Sequence, residues 1–141
     1  MTPPSNVTPR TIAKALTAKL ADATVTGAGS TAVVNNIVRP GVVKPYTRFV
    51  VQSFVDERTK GAVAYHHVRL FVEAVTDNDF EQAEAIYDAV HELLEYGTLN
   101  LEVGTLDVMF RDDVMDRPNY TEANETIHQL GGTYYLGVKP A

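Results

Sequence analysis

Residues 65–96 read YHHVRLFVEAVTDNDFEQAEAIYDAVHELLEY, and this stretch decides the fold because its apolar residues change period within it. From Val68 to Ala74 every second residue is apolar, which is the pattern of a β-strand with one buried face. From Phe80 to Leu94 the apolar residues recur at steps of three and four, which is the pattern of an amphipathic helix. The sequence therefore predicts a strand that leads directly into a helix, with the helix packed on the apolar face of the strand.

The predicted helix has recognisable ends and a charged outer face. Asn78 stands three residues before Glu81, which is the spacing of a capping box. Gly97 follows the helix, where a left-handed backbone conformation that favours glycine commonly ends an α-helix. The side opposite the apolar stripe carries only acidic charges: Glu81, Glu84, Asp88, Glu92 and Glu95. We expect this acidic side to face water.

The rest of the chain predicts a second helix and further strands. Thr8 can cap a helix that has Pro9 at its first position and that continues to about Ala23. The strand that precedes the central helix is predicted over residues 64–75, and the other predicted strands are residues 46–55, 99–103, 106–110 and 127–139. We expect residues 1–8 to be flexible, and the polar segment 111–124 to form a long loop.

This order of elements indicates the fold class. Helix, strands, helix and strands, joined by hairpin-like connections, predict an α+β fold with a mainly antiparallel sheet packed against two principal helices. No repeat or low-complexity tract divides the 141 residues, so we predict a single domain over residues 1–141.

Composition narrows the function classes. The chain has no cysteine, which excludes disulfides, thiolate metal sites and cysteine nucleophiles. Its formal net charge is −6, and no run of Lys and Arg provides the basic patch that nucleic-acid binding requires. No apolar run approaches the length of about 20 residues that a membrane helix needs.

The titratable residues do not assemble into a recognisable catalytic or metal-binding motif. His66 and His67 are adjacent on a predicted strand, so their side chains point to opposite faces and cannot easily share a metal ion. His91 follows Asp88 on the predicted helix, but neither an HExxH motif nor a GxSxG motif is present. We expect no catalytic residue, no cofactor and no metal.

The layout resembles the tail terminator, or tail completion, proteins of long-tailed bacteriophages and phage-like particles. The likeness covers residues 9–139 and is carried by VRLFVEAV leading into DFEQAEAIYDAVHELL. After these come LNLEVGTLDVMF, the charged RDDVMDRPNY and the terminal HQLGGTYYLGV. The resemblance implies a structural, non-enzymatic protein of the virion tail that is assembled in the host cytoplasm.

The resemblance also implies partners. Such a protein forms a homohexameric ring on the head-proximal end of the tail tube, stops tube polymerisation and offers a surface for head joining. Its partners would be other copies of itself, the tail tube protein and the head–tail connector protein. DNA would pass through the ring without sequence-specific binding.

Charged side chains outside the predicted core are the candidate interface residues. Together with the resemblance, they predict a contact with a neighbouring subunit or with the tube through Arg48, Arg69, Glu73, Arg111, Asp112, Asp113 and Arg117. Two alternatives stay open. One is another head–tail connector or neck protein, and the other is a small α+β enzyme or ligand-binding domain with a pocket near His66 or His91.

Overall fold

The computed structural model describes residues 6–38, 40–122 and 125–141, without the side chains at 116–118 and 122. The elements are α1 (Pro9–Leu20), α2 (Ala23–Gly27), β1 (Val33–Asn35), β2 (Tyr46–Thr59), β3 (Ala62–Thr76), α3 (Phe80–Leu94), β4 (Thr105–Glu122) and β5 (Glu125–Lys139). The strands form a sheet of order β1-β2-β3-β5-β4, in which the β1–β2 pair is parallel and the other pairs are antiparallel. The predicted α+β fold with a mainly antiparallel sheet is confirmed.

The predicted junction between strand and helix is present as β3 and α3. The side of the sheet that carries Val68, Leu70, Val72 and Ala74 of β3, here called the helix face, is fully buried at these four positions. These residues share one core cluster with Tyr87 and Leu94 of α3 and with the apolar residues of α1. Burial of this continuous apolar area is the main favourable contribution to folding. The predicted packing of α3 on β3 is therefore confirmed, although Phe80 is only half buried.

Both ends of α3 differ from the predictions by one residue. The N-cap is Asp79, whose backbone is extended and whose Oδ1 accepts a hydrogen bond of 2.8 Å from the Gln82 amide. The left-handed residue after the helix is Tyr96, with φ 51°, and not Gly97. Asn and Asp cap helices about equally well, and the carboxylate of Asp79 also interacts favourably with the positive end of the helix dipole.

The N-terminus is more ordered than predicted. Val7 is 5% exposed and belongs to the core, and Thr8 caps α1 through a reciprocal bond with Thr11. The expected flexibility of residues 1–8 is therefore wrong for Val7 and Thr8, while positions 1–5 lie outside the described residues. The apolar Val7 is the reason, since its burial ties the chain to the sheet just before the helix begins.

The prediction of a long loop over residues 111–124 is wrong for residues 111–122. Residues 111–122 continue β4, which pairs with β5 from Thr105 opposite Lys139 to Glu122 opposite Glu125. Residues 123–124 lie outside the described part of the chain. Polar and proline-containing sequence is compatible with this strand because it lies at the edge of the sheet, where side chains and one row of backbone groups can face water. Three register shifts along β4 also accommodate residues that break the alternation.

The prediction of a strand over residues 99–103 is also wrong. Among the described residues this segment pairs with no strand, and it runs irregularly, with Leu99 and Val103 buried and Leu101 half buried. Gly104 has φ 79°, and a Cβ there would lie 2.5 Å from Val7 Cγ2 and 2.6 Å from the Lys139 carbonyl oxygen. The alternating apolar residues therefore anchor an irregular connection to the core, and the pairing of β4 with β5 begins only at Thr105.

Candidate functional site

The side of the sheet opposite the helices is the main candidate surface. We call it the open face and define it by the odd-numbered residues of β3: Tyr65, His67, Arg69, Phe71 and Glu73. It is only partly wet, because Phe71 and Glu73 are 5% and 2% exposed. A second, smaller apolar cluster lies at one end of the sheet and is formed by Val34, Tyr46, Val75 and Ile127. The expected solvent-facing surface is thus confined to the end of the sheet near Tyr65.

Arg48 and Glu73 are neighbours across β2 and β3 and pair within the subunit. Arg48 Nη1 lies 3.1 Å from Glu73 Oε1, and Arg48 Nε donates a 2.6 Å hydrogen bond to the carbonyl oxygen of Asn36. Gly131 of β5 lies opposite Glu73 and leaves room for its side chain. The sequence suggested that Glu73 is an exposed charge, but its side chain is buried. The Arg48–Glu73 pair connects the sheet to the segment after β1.

Arg69 and Asp112 form an exposed charge pair on the open face. The Arg69 guanidinium bonds Asp112 Oδ2, and their side chains are 54% and 37% exposed. Asp112 reaches Arg69 because the register shift between Arg111 and Asp113 makes it an extra residue in β4. Asp113 is exposed and its carboxylate accepts a 2.8 Å bond from the Val114 amide. The side chain of Arg117 lies outside the described residues, and its backbone belongs to β4.

Arg111 points away from this group, into a polar network between α3 and the β4–β5 pair. A hydrogen bond to Tyr87 raises the pKa of Arg111, and the Arg111 amide donates a 3.0 Å bond to Glu95 Oε2. Tyr134 is fully buried, with its hydroxyl 3.1 Å from the Tyr87 hydroxyl and 2.8 Å from His91 Nδ1. This network satisfies the buried polar groups and holds the half-buried Arg111 within the subunit.

Sequence reasoning missed a row of aromatic rings on the open face. This aromatic row consists of Tyr65, His67, Tyr135, Phe110 and Tyr96. Successive ring centroids lie 5.1, 5.8, 5.3 and 6.4 Å apart. The row combines residues from β3, β5, β4 and the turn after α3, so only strand order brings it together. Alternation placed Tyr65 and His67 on one face, but nothing in the sequence identified their partners on β4 and β5.

Hydrogen bonds hold the end of the aromatic row in place. The Tyr65 hydroxyl donates a 2.7 Å bond to Asp107 Oδ2, and this bond lowers the pKa of Asp107. Asp107 is an extra residue at the first register shift of β4, and it also lies 3.5 Å from Lys139 Nζ. A bond of 2.5 Å joins His67 Nδ1 to the Tyr135 hydroxyl. These contacts position the rings as one extended surface.

The histidines do not converge on a shared site. His66 is 5% exposed and its Nδ1 lies 2.7 Å from Asp56 Oδ1, while His91 belongs to the tyrosine network. Within residues 6–38, 40–122 and 125–141, no group of three His, Asp or Glu side chains is placed to hold a metal ion. Two grooves, of about 420 and 250 Å³, are lined by neither His66 nor His91. In the described part of the chain, no helix has the length and apolar character needed to cross a membrane.

Comparison with protein families decides the classification. The family model of tail completion protein gp17 matches residues 7–124, which is most of the chain. The chain belongs to this family. The family is one of structural phage tail proteins, so its members are virion tail assembly proteins.

Solved structures share the fold of this tail completion family member. A chain in "Virion of native gene transfer agent (GTA) particle" is 23% identical and superposes with a TM-score of 0.71, covering 91% of this chain and 97% of that chain. A second solved structure is 11% identical with a TM-score of 0.54, covering 92% of this chain and 96% of that chain. No curated protein sequence matches the chain significantly.

The buried Tyr134 predicts a pH dependence of folding in this family member. Burial raises the pKa of Tyr134 above its ordinary value of 10.0, so above pH 10 the unfolded state releases a proton that the folded state keeps. The contribution of the protonated Tyr134 to the free energy of unfolding is complete below about pH 10. It is lost as pH rises, at about 1.4 kcal/mol per pH unit. Tyr134→Phe has no such proton, so its free energy of unfolding should fall less steeply between about pH 10 and about pH 11.

Urea melts of the two proteins across this range measure the difference in slope. The variant should keep part of the slope, because the pKa values of Tyr65 and Tyr135 are raised as well. Identical slopes for both proteins would show that Tyr134 does not remain protonated in the folded state.

Proposed function

We propose that this chain closes the head-proximal end of the tail tube as a hexameric ring, stops tube polymerisation and presents the surface to which the head is joined. Membership of the tail completion family is the observation that carries the proposal. Its partners would be further copies of itself, the tail tube protein and the head–tail connector protein. It would act as part of the virion tail, after assembly in the host cytoplasm.

The geometry of the open face supports a role in assembly. An enzyme needs polar groups that converge in a concave pocket, whereas protein interfaces are extended surfaces enriched in aromatic residues and arginine. The aromatic row has this composition, and Tyr96 at its end is 75% exposed. Rings already held by hydrogen bonds lose little conformational freedom on binding, which favours affinity.

Within this proposal, the charged residues have different tasks. Arg69 and Asp112 are exposed beside the aromatic row and would meet a neighbouring subunit or the tube, with Asp113 and Arg117 further along β4. Arg48, Glu73 and Arg111 would support the surface from within the subunit. Truncating one partner of a desolvated charge pair weakens an interface strongly, so the Arg69–Asp112 pair is the residue pair to test.

The acidic balance of the chain fits passage of DNA through a ring. A formal net charge of −6 gives the subunit a repulsive field for phosphate, and no basic run opposes it. DNA would therefore pass without sequence-specific binding.

Particles made without this protein provide the test of function. We expect tails of irregular and excessive length that do not join filled heads, and we expect both defects to disappear when the purified protein is added. Electron microscopy of the particles measures tail length and the fraction of joined heads. Tails of normal length that fail to join heads would contradict termination and indicate a connector role instead. Normal particles would contradict the proposal as a whole.

The same assay tests the open face. Arg69→Glu places like charge beside Asp112 and should abolish rescue, while Lys60→Glu, which changes an exposed charge in the β2–β3 turn, should rescue like the unmodified protein. Melting curves of both variants serve as the folding control. Full rescue by a folded Arg69→Glu protein would remove this residue from the interface.

A further inference from the structure

The two long helices carry opposite charges. α1 contains Arg10, Lys14 and Lys19 and no acidic residue. α3 contains Glu81, Glu84, Asp88 and Glu92, all exposed, and no lysine or arginine. The chain as a whole is acidic, so a purely basic helix is a local exception. Helices of opposite charge attract one another over about 8–10 Å at moderate ionic strength.

A groove runs along the basic helix. It has a volume of about 420 Å³ and lies between α1 and residues 100–102. Ala15 and Ala18 are small lining residues, while Lys14 and Lys19 provide the positive charge. Lys14 also pairs with Glu102 across the groove. Both partners of that pair are exposed, and exposed ion pairs contribute little to stability, so Lys14 can exchange Glu102 for another carboxylate.

We propose that this groove receives the acidic side of α3 from a second copy of the chain. This contact rests on the ring proposed above and specifies how neighbouring subunits meet on the helix side of the sheet. Ala85 is exposed between Glu84 and Asp88, so the centre of the acidic side is small enough for close approach to Ala18. The carboxylates on either side of Ala85 then face the lysines that line the groove.

The contact has a direction. No residue of α3 lines the groove, so each copy offers two different surfaces, one that receives and one that inserts. A contact between different surfaces is heterologous, and repetition of such a contact produces a ring when the rotation closes. The complementary charges also reject the like-charged pairings α1–α1 and α3–α3, which fixes the order of the subunits.

Charge exchange provides the first test. In Lys14→Glu/Lys19→Glu both surfaces are acidic, and in Glu84→Lys/Asp88→Lys both are basic. Each variant alone should associate at least about tenfold more weakly than the unmodified protein, because like charges now face each other. An equimolar mixture should regain association. The acidic groove of the first variant can bind the basic α3 of the second, and the basic groove of the second can bind the acidic α3 of the first. Sedimentation of the free proteins and retention on purified tails measure this, with Lys60→Glu as the control.

Directed cross-linking provides the second test, and the absence of native cysteine makes its background low. A mixture of Ala18→Cys and Ala85→Cys, treated with a short bis-maleimide, should give heterodimers in solution or on tails. Ala18→Cys alone and Ala85→Cys alone should give no product above the level of Thr59→Cys, an exposed control in the β2–β3 hairpin. Absence of heterodimers under both conditions, or equal yields of homodimers, would overturn the contact.

Failure of this contact can be distinguished from failure of the proposed function. If each charge-reversed variant alone associates with itself and terminates tails as the unmodified protein does, the ring forms by another surface and this inference is wrong. A ring that stays intact in Glu84→Lys/Asp88→Lys while DNA delivery falls would place the acidic side of α3 at the channel and also overturn it. If the unmodified protein does not terminate tails, the proposed function is wrong, and cross-linking of the free protein still decides whether α1 meets α3.

Discussion

Replacing Leu94 with alanine is expected to lower the free energy of unfolding by about 2–5 kcal/mol. Leu94 is fully buried at the end of α3 and belongs to the same core cluster as Val68, Leu70 and the residues of α1. The substitution removes apolar contacts and leaves a cavity that the close-packed surroundings fill only in part. The loss should be large because this end of the helix joins the sheet to the irregular segment after it.

Urea melts of the purified protein measure this loss. Glu84→Ala is the matched control for the monomeric protein, since it lies on the exposed side of the same helix and should change the stability of the single subunit by no more than about 0.5 kcal/mol. Alanine favours helix at least as well as either residue it replaces, so helix propensity does not account for a loss at Leu94. Equal losses in the two variants would mean that the inner and outer faces of α3 are wrongly assigned.

Replacing Gly131 with alanine is expected to destabilise the protein by about 3 kcal/mol, at the upper end of the range for overpacked positions. A Cβ at this position would lie 2.3 Å from the Val72 carbonyl oxygen and 2.8 Å from Glu73 Cβ. The first of these atoms belongs to the backbone of the central strand, so relief requires β3 and β5 to move apart. The movement would also disturb the Arg48–Glu73 pair, which lies beside Gly131.

Gly27→Ala is the matched control for this prediction. No atom lies within 4 Å of a Cβ at Gly27, which ends the short helix α2. Its stability should stay unchanged or rise by up to about 1 kcal/mol, because alanine loses less entropy than glycine in a helix. Thermal or urea melts compare the two variants. A Gly131→Ala protein as stable as the Gly27→Ala protein would show that β3 and β5 have more space than the register indicates.

Local sequence patterns identified some elements of the fold correctly. The change from alternating to helical period after Ala74 was enough to place β3, α3 and their contact. The same reasoning failed at residues 111–122, where charges and a proline suggested a loop. An edge strand exposes those residues without requiring an apolar pattern, and its register shifts interrupt the alternation. It also failed at residues 99–103, where alternating apolar residues are buried without a partner strand.

The candidate site was predictable only in part. Arg69 was correctly expected to be exposed on the strand face opposite the core. Glu73, four residues further along the same face, is buried beside Arg48, which the β2–β3 register places opposite it and which the β1–β2 pair brings to the Asn36 carbonyl. Arg111 was expected beside Asp112 on a loop, yet both residues belong to β4, and successive side chains of a strand point to opposite faces of the sheet.

The amino-acid sequence alone determined the fold class, the face of α3 that is buried and the absence of cysteine chemistry, because each depends on residue types or on spacing within one element. The tertiary structure decided the strand order, the aromatic row, the polar network around Tyr134 and the groove along α1. Each of these joins residues from elements that are distant in the chain, and the pairing register that brings them together is set by the packing of the whole sheet rather than by any local pattern.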